Sequence, residues 1–86
     1  MRNLSELEKL PNIGKVAASL LEEAGIDTPD KLVKAGSREA FLKIREIDPT
    51  ACIRMLYGLE GAILGMPDKL LPQDKKEELL HFFRSL

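Results

Sequence analysis

Residues 49–64 constrain this chain more than any other stretch. Read as a helix, they place Ala51, Cys52, Ile53, Met55, Leu56, Leu59, Ala62, Ile63 and Leu64 around most of the circumference, and only Thr50, Arg54 and Glu60 break the apolar surface. A helix that is apolar nearly all round has to be buried. With 86 residues in total, the other segments must wrap around this one, so 1–86 reads as a single domain built on a central post. Asp48 is the expected N-cap and Pro49 the expected first helical residue. Gly58 and Gly61 lie inside the pattern, and each costs about 1 kcal/mol relative to alanine. Close approach of another helix backbone is the expected compensation.

The remaining punctuation cuts the chain into short helical segments, none with a sustained alternation of period two. Leu4, Leu7 and Leu10 share one face of a first segment that Asn3 or Ser5 could cap. From Gly14 to Ala24, Ala17, Leu20, Leu21 and Ala24 follow helical spacing, and Gly25 stands where a left-handed residue closes a helix. Thr28, Pro29 and Asp30 start a third segment, with Leu32 and Val33 facing inward. Ser37 caps a fourth, on which Ala40, Phe41, Ile44 and Ile47 mark one face. Leu79, Phe82, Phe83 and Leu86 mark the inner face of a last segment that begins at Pro72, and a short turn around Pro67–Leu70 bridges to it. The expectation is an all-α fold of five or six short helices, with an N-terminal helix-hairpin-helix packed around the central apolar helix.

The stretch Leu10-Pro11-Asn12-Ile13-Gly14-Lys15-Val16-Ala17 carries the hairpin signal. Two helices are separated by about four residues, with glycine at the turn. Asn12 is among the few non-glycine residues that tolerate a positive φ. Ile13 can plug the turn into the core. The amides of Gly14, Lys15 and Val16 then stand at the start of a helix, where orphan donors and the helix dipole favour an anion. Asn12, Ile13, Gly14, Lys15 and Val16 are therefore the candidate nucleic-acid-binding residues, holding a backbone phosphate weakly and without reading base sequence. The competing reading is that the hairpin is architecture and the chain is a protein-interaction or homodimerisation module. Glu6, Glu8, Glu22 and Glu23 flank the hairpin and would repel phosphate.

Charge narrows the field further. Thirteen Lys/Arg against fourteen Asp/Glu give a formal charge of −1, which excludes a protein that coats nucleic acid through bulk charge. One cysteine and one histidine allow neither a disulfide framework nor a cysteine-rich zinc site. Cys52 reads as a small buried hydrophobe and His81 as a surface residue. Tyr57 is expected to pack with its hydroxyl at the rim. Ser19 lacks any nucleophile-elbow context. No catalytic residue, metal or cofactor is expected, and no apolar run is long enough for a membrane span. The acidic start gives no secretory signal, so the expected location is the cytoplasm.

Several blocks together resemble the C-terminal domain of the TfoX/Sxy family of bacterial competence regulators. They are Leu10-Pro11-Asn12-Ile13-Gly14, Leu21-Glu22-Glu23-Ala24-Gly25-Ile26-Asp27-Thr28-Pro29, Gly36-Ser37-Arg38-Glu39-Ala40-Phe41, Asp48-Pro49 with Ala51-Cys52, and Leu56-Tyr57-Gly58-Leu59-Glu60-Gly61-Ala62-Ile63. The resemblance implies a helical, hairpin-containing domain linked to positive regulation of DNA-uptake genes, with no enzymatic activity. The family's full-length regulators carry an additional N-terminal domain, and the resemblance here is to their second domain alone.

Overall fold

Local rules decide where most of the helices start and stop. The computed structural model describes residues 4–86, with side chains from residue 6 onward; the expected caps at Asn3 or Ser5 and the face of Leu4 lie outside that description. Its helices are α1 (Leu4–Glu8), α2 (Lys15–Glu23), α3 (Pro29–Ala35), α4 (Ser37–Ile47), α5 (Ile53–Leu64) and α6 (Gln73–Arg84), with a single 3-10 turn at Asp68–Leu70. No strand occurs among the described residues. Thr28 accepts the Lys31 amide at 3.1 Å and Pro29 follows it, as a capped start requires. At the end of α2, Gly25 takes φ 85°. There the Ile26 amide donates to the Leu21 carbonyl at 2.8 Å and the Gly25 amide to that of Glu22, a left-handed closure that satisfies otherwise orphaned carbonyls.

The expected central post is present. α5 packs against α3, α4, α6 and the 3-10 turn, and it buries Leu56, Gly58, Leu59, Gly61 and Ala62. Every helix sends at least one fully buried side chain inward: Leu7, Leu21, Leu32, Phe41, Ile44, Leu56, Leu59 and Leu79. Each is worth about 1.5–3 kcal/mol when removed from water. α6 is fastened to α4 by aromatic contact, the rings of Phe41 and Phe83 lying 5.9 Å apart with the Arg45 guanidinium over both.

Several local expectations are corrected. α5 begins at Ile53, not at Pro49, because the Asp48 carboxylate turns onto its own neighbourhood. It accepts the Thr50 amide at 3.1 Å and the Thr50 hydroxyl at 2.6 Å, an Asx-type turn that uses the same residue types as a helix cap. Cys52 is consequently the N-cap of α5 and exposed, not buried. Ser37 does not cap α4 with its side chain. It is buried and its hydroxyl donates to Glu60 of α5, whose carboxylate also lies 3.9 Å from Lys75 of α6. Val33 and Ile47, expected inward, are 59% and 41% exposed, and Leu20 is only half-buried. The companion of the α5 glycines is the turn before α2 and the loop 66–68, not a helix backbone.

Candidate functional site

The turn between α1 and α2 is built around Asn12, which takes φ 69° as a non-glycine residue. Both ends of its side-chain amide are engaged by the backbone of other segments. Nδ2 donates to the Gly58 carbonyl at 3.3 Å and to the Met66 carbonyl at 3.0 Å, and Oδ1 accepts the Asp68 amide at 3.1 Å. Ile13 is buried and plugs the turn into the core. Gly14, Lys15 and Val16 face outward. The five candidate residues thus divide into two that hold the hairpin in place and three that present a surface.

That surface is one wall of a cleft of about 640 Å³. Ile13–Ala17 line it together with Asp48, Thr50, Ala51, Cys52, Arg54 and Met55, and Asp68 completes the rim. Two helices begin at this cleft. α2 starts from Gly14 and α5 from Cys52, and neither cap residue supplies a side-chain hydrogen bond. The opening turns of both helices therefore carry amides with no intrahelical acceptor. An added Cβ at Gly14 would meet nothing within 4 Å, so the space beside the start of α2 is open.

Four charged side chains lie around the cleft: Lys15, Arg54, Asp48 and Asp68. The two carboxylates already have partners. The hydroxyl and then the amide of Thr50 hold the Asp48 carboxyl below the ordinary value of 3.8. Asp68 pairs with Arg54 at 3.9 Å. Lys15 enters no ion pair among the described residues. Between the rims the floor is apolar, formed by Ile13, Ala17, Ala51, Met55 and Leu59. Cys52 has no imidazole at hand, because His81 lies on α6 against a different depression with Arg38 and Asp74. Tyr57 packs as expected, its hydroxyl donating to the Lys76 carbonyl at 3.4 Å. Among the described residues no group of three or more His, Cys, Asp or Glu could hold a metal ion, and no helix is long and apolar enough to cross a membrane.

Sequence reasoning missed Arg54, Cys52 and Asp68 as cleft residues. Nothing local marks them, because they reach the hairpin only through the tertiary fold.

Residues 3–83 match the TfoX C-terminal domain. The chain belongs to that family. This TfoX-type domain is 33% identical over 86 residues to Protein Sxy of Escherichia coli (strain K12), an alignment that covers 99% of the chain but 41% of Sxy. A crystal structure of an uncharacterized protein from Listeria monocytogenes superposes with a TM-score of 0.91 at 49% identity, covering 92% of this chain and 90% of that one. A second, of a Listeria monocytogenes protein of unknown function, gives 0.88 at 51% identity, covering 96% and 98%.

Proposed function

We propose that this TfoX-type domain is a non-enzymatic binding module of the competence-regulator kind, acting in the cytoplasm, and that it holds a backbone phosphate of nucleic acid in the cleft between α2 and α5. The observation that supports this reading is the pair of helix starts, both lacking side-chain caps, that border one cleft together with Lys15 and Arg54. Orphan amides at a helix start are donors aimed at an anion, and the helix dipole adds to them. Amides on a phosphate carry no base information, so the contact would position the domain on nucleic acid without selecting a sequence.

The test is a titration of fluorescent duplex and single-stranded DNA at several salt concentrations. Two cations predict a shallow dependence of log K on log salt, with a slope of about −1 to −3, and a Kd in the non-specific range of roughly 10⁻⁴–10⁻⁶ M. Lys15→Glu should remove most of the binding and leave the melting temperature unchanged, because Lys15 is exposed. Tight binding indifferent to Lys15→Glu, or no binding at about 50 mM salt, would reject the phosphate reading.

A second reading is favoured by the apolar floor and by Val16, which is 73% exposed on the lip of the cleft. A protein segment, or a second copy of the domain, would cover that surface. Val16→Asp should then abolish complex formation in sedimentation experiments while DNA affinity stays unmeasurable.

A further inference from the structure

Taking the cleft as a phosphate site, as proposed above, we infer that Asn12 is its positioning residue: it locks the 66–68 loop against the hairpin and so fixes Asp68, and through Asp68 the Arg54 guanidinium, opposite the start of α2. Asn12 lies in the turn that sets where α2 begins, two residues before Gly14. Its Oδ1 accepts the backbone amide of Asp68 at 3.1 Å, while Nδ2 holds Met66 from the same loop at 3.0 Å. The Asp68 carboxylate then lies 3.9 Å from Arg54. The Arg54 side chain is 81% exposed, and among the described residues this pair is its one ion-pair restraint. One side chain thus ties the turn before α2 to α5 and to the loop that carries the partner of Arg54.

The notch that receives Asn12 is cut by the two α5 glycines. A Cβ at Gly61 would stand 2.5 Å from Asn12 Nδ2 and 2.7 Å from the Met66 oxygen, closer than atoms can approach. The latch can therefore be opened from either side, by removing the amide in Asn12→Gly or by filling the notch in Gly61→Ala. Glycine keeps the positive φ available at position 12, so Asn12→Gly removes the amide without straining the turn.

The experiment is the same salt-dependent DNA titration on the full chain, with Asn12→Gly, Gly61→Ala and Arg54→Ala beside the wild type. Arg54→Ala removes one cation–phosphate contact and should flatten the salt slope by about 0.7–0.9, and Asn12→Gly and Gly61→Ala, which keep the charge but release its position, should flatten it by a smaller amount. A side chain that served stability alone would lower the melting temperature and leave the slope of the folded fraction untouched. In wild-type amide spectra, added DNA should shift the Gly14–Val16, Arg54 and Asp68 resonances together; this reading stands even if one variant does not fold. Wild-type slopes in Asn12→Gly and Gly61→Ala beside a reduced slope in Arg54→Ala would overturn the positioning role, as would an Asp68 amide unmoved by DNA. A wild type that binds no DNA would overturn the phosphate reading and this inference with it.

Discussion

Gly58 and Gly61 stand one helical turn apart on the same face of α5, and the structure assigns them opposite responses to alanine. Both substitutions gain about 1 kcal/mol of helix propensity. At Gly58 the new methyl would meet Asn12 Cβ at 3.4 Å and its carbonyl oxygen at 3.9 Å, ordinary contact distances. The expected result for Gly58→Ala is a change between neutral and about 1 kcal/mol of stabilisation. At Gly61 the methyl would overlap the Asn12 amide nitrogen and a backbone oxygen, so the Asn12 side chain must leave. It gives up three hydrogen bonds, each worth about 0.5–1.5 kcal/mol net. After the propensity gain, Gly61→Ala should lose about 1–3 kcal/mol. For a domain of this size that corresponds to a fall in Tm of roughly 5–20 °C. Thermal unfolding followed by circular dichroism at 222 nm measures both. A Gly61→Ala variant as stable as the wild type, or a Gly58→Ala variant that is the weaker of the two, would refute the notch around Asn12.

Three further perturbations test other parts of the fold. Thr28→Ala removes the cap on the Lys31 amide and should cost about 1 kcal/mol in urea unfolding, with Thr28→Ser restoring most of it. Ser37→Ala takes away the hydroxyl that donates to the half-buried Glu60; a loss of about 1–3 kcal/mol is expected, and no loss would show that Lys75 and water satisfy that carboxylate unaided. Acid should destabilise the fold through Asp27 and Asp48, whose carboxyls are held below 3.8, chiefly by the Lys31 ammonium and the Thr50 hydroxyl respectively. Because the folded state binds these protons less readily, the contribution is present above the unfolded value and is lost as pH falls through the folded one. Asp27→Asn with Asp48→Asn should flatten the fall of Tm from about pH 5 to about pH 2, and an unaltered profile would mean other carboxylates carry it.

What could be read from the sequence was what neighbours in sequence decide. Thr28-Pro29 announces α3 because a cap and its amide lie three residues apart, and the all-round apolar pattern of 53–64 can be satisfied only by burial. Asp48-Pro49 misleads for the same local reason. An aspartate ahead of a helix can bond to the helix start or close a turn with Thr50, and only the packing of the 48–52 segment chooses between them. Val33 and Ile47 have the spacing of inner residues yet remain 59% and 41% exposed. The site was half legible. Gly14, Lys15 and Val16 follow from the hairpin pattern, whereas the facing wall with Arg54 and Asp68 is assembled by contacts across most of the chain. Asn12 was recognised for its backbone conformation, while its side-chain partners depend on a notch that two distant glycines cut.

The bonds of Asn12 also order events in time. Its partners stand 46, 54 and 56 positions further along, so the hairpin leaves the ribosome before anything exists to fasten it. At roughly 5–20 residues per second, translation leaves that turn unfastened for roughly 3–11 s. Contacts of such long sequence separation close late and slow the folding of small domains. A ribosome-bound nascent chain truncated before Met66 should expose Lys9 and Lys15 to brief trypsin treatment, whereas one extended past Leu86 should protect Lys9. Within this domain the hairpin is therefore made well before the residues that fasten its turn, and a nascent chain that stops short of Met66 carries it unlatched.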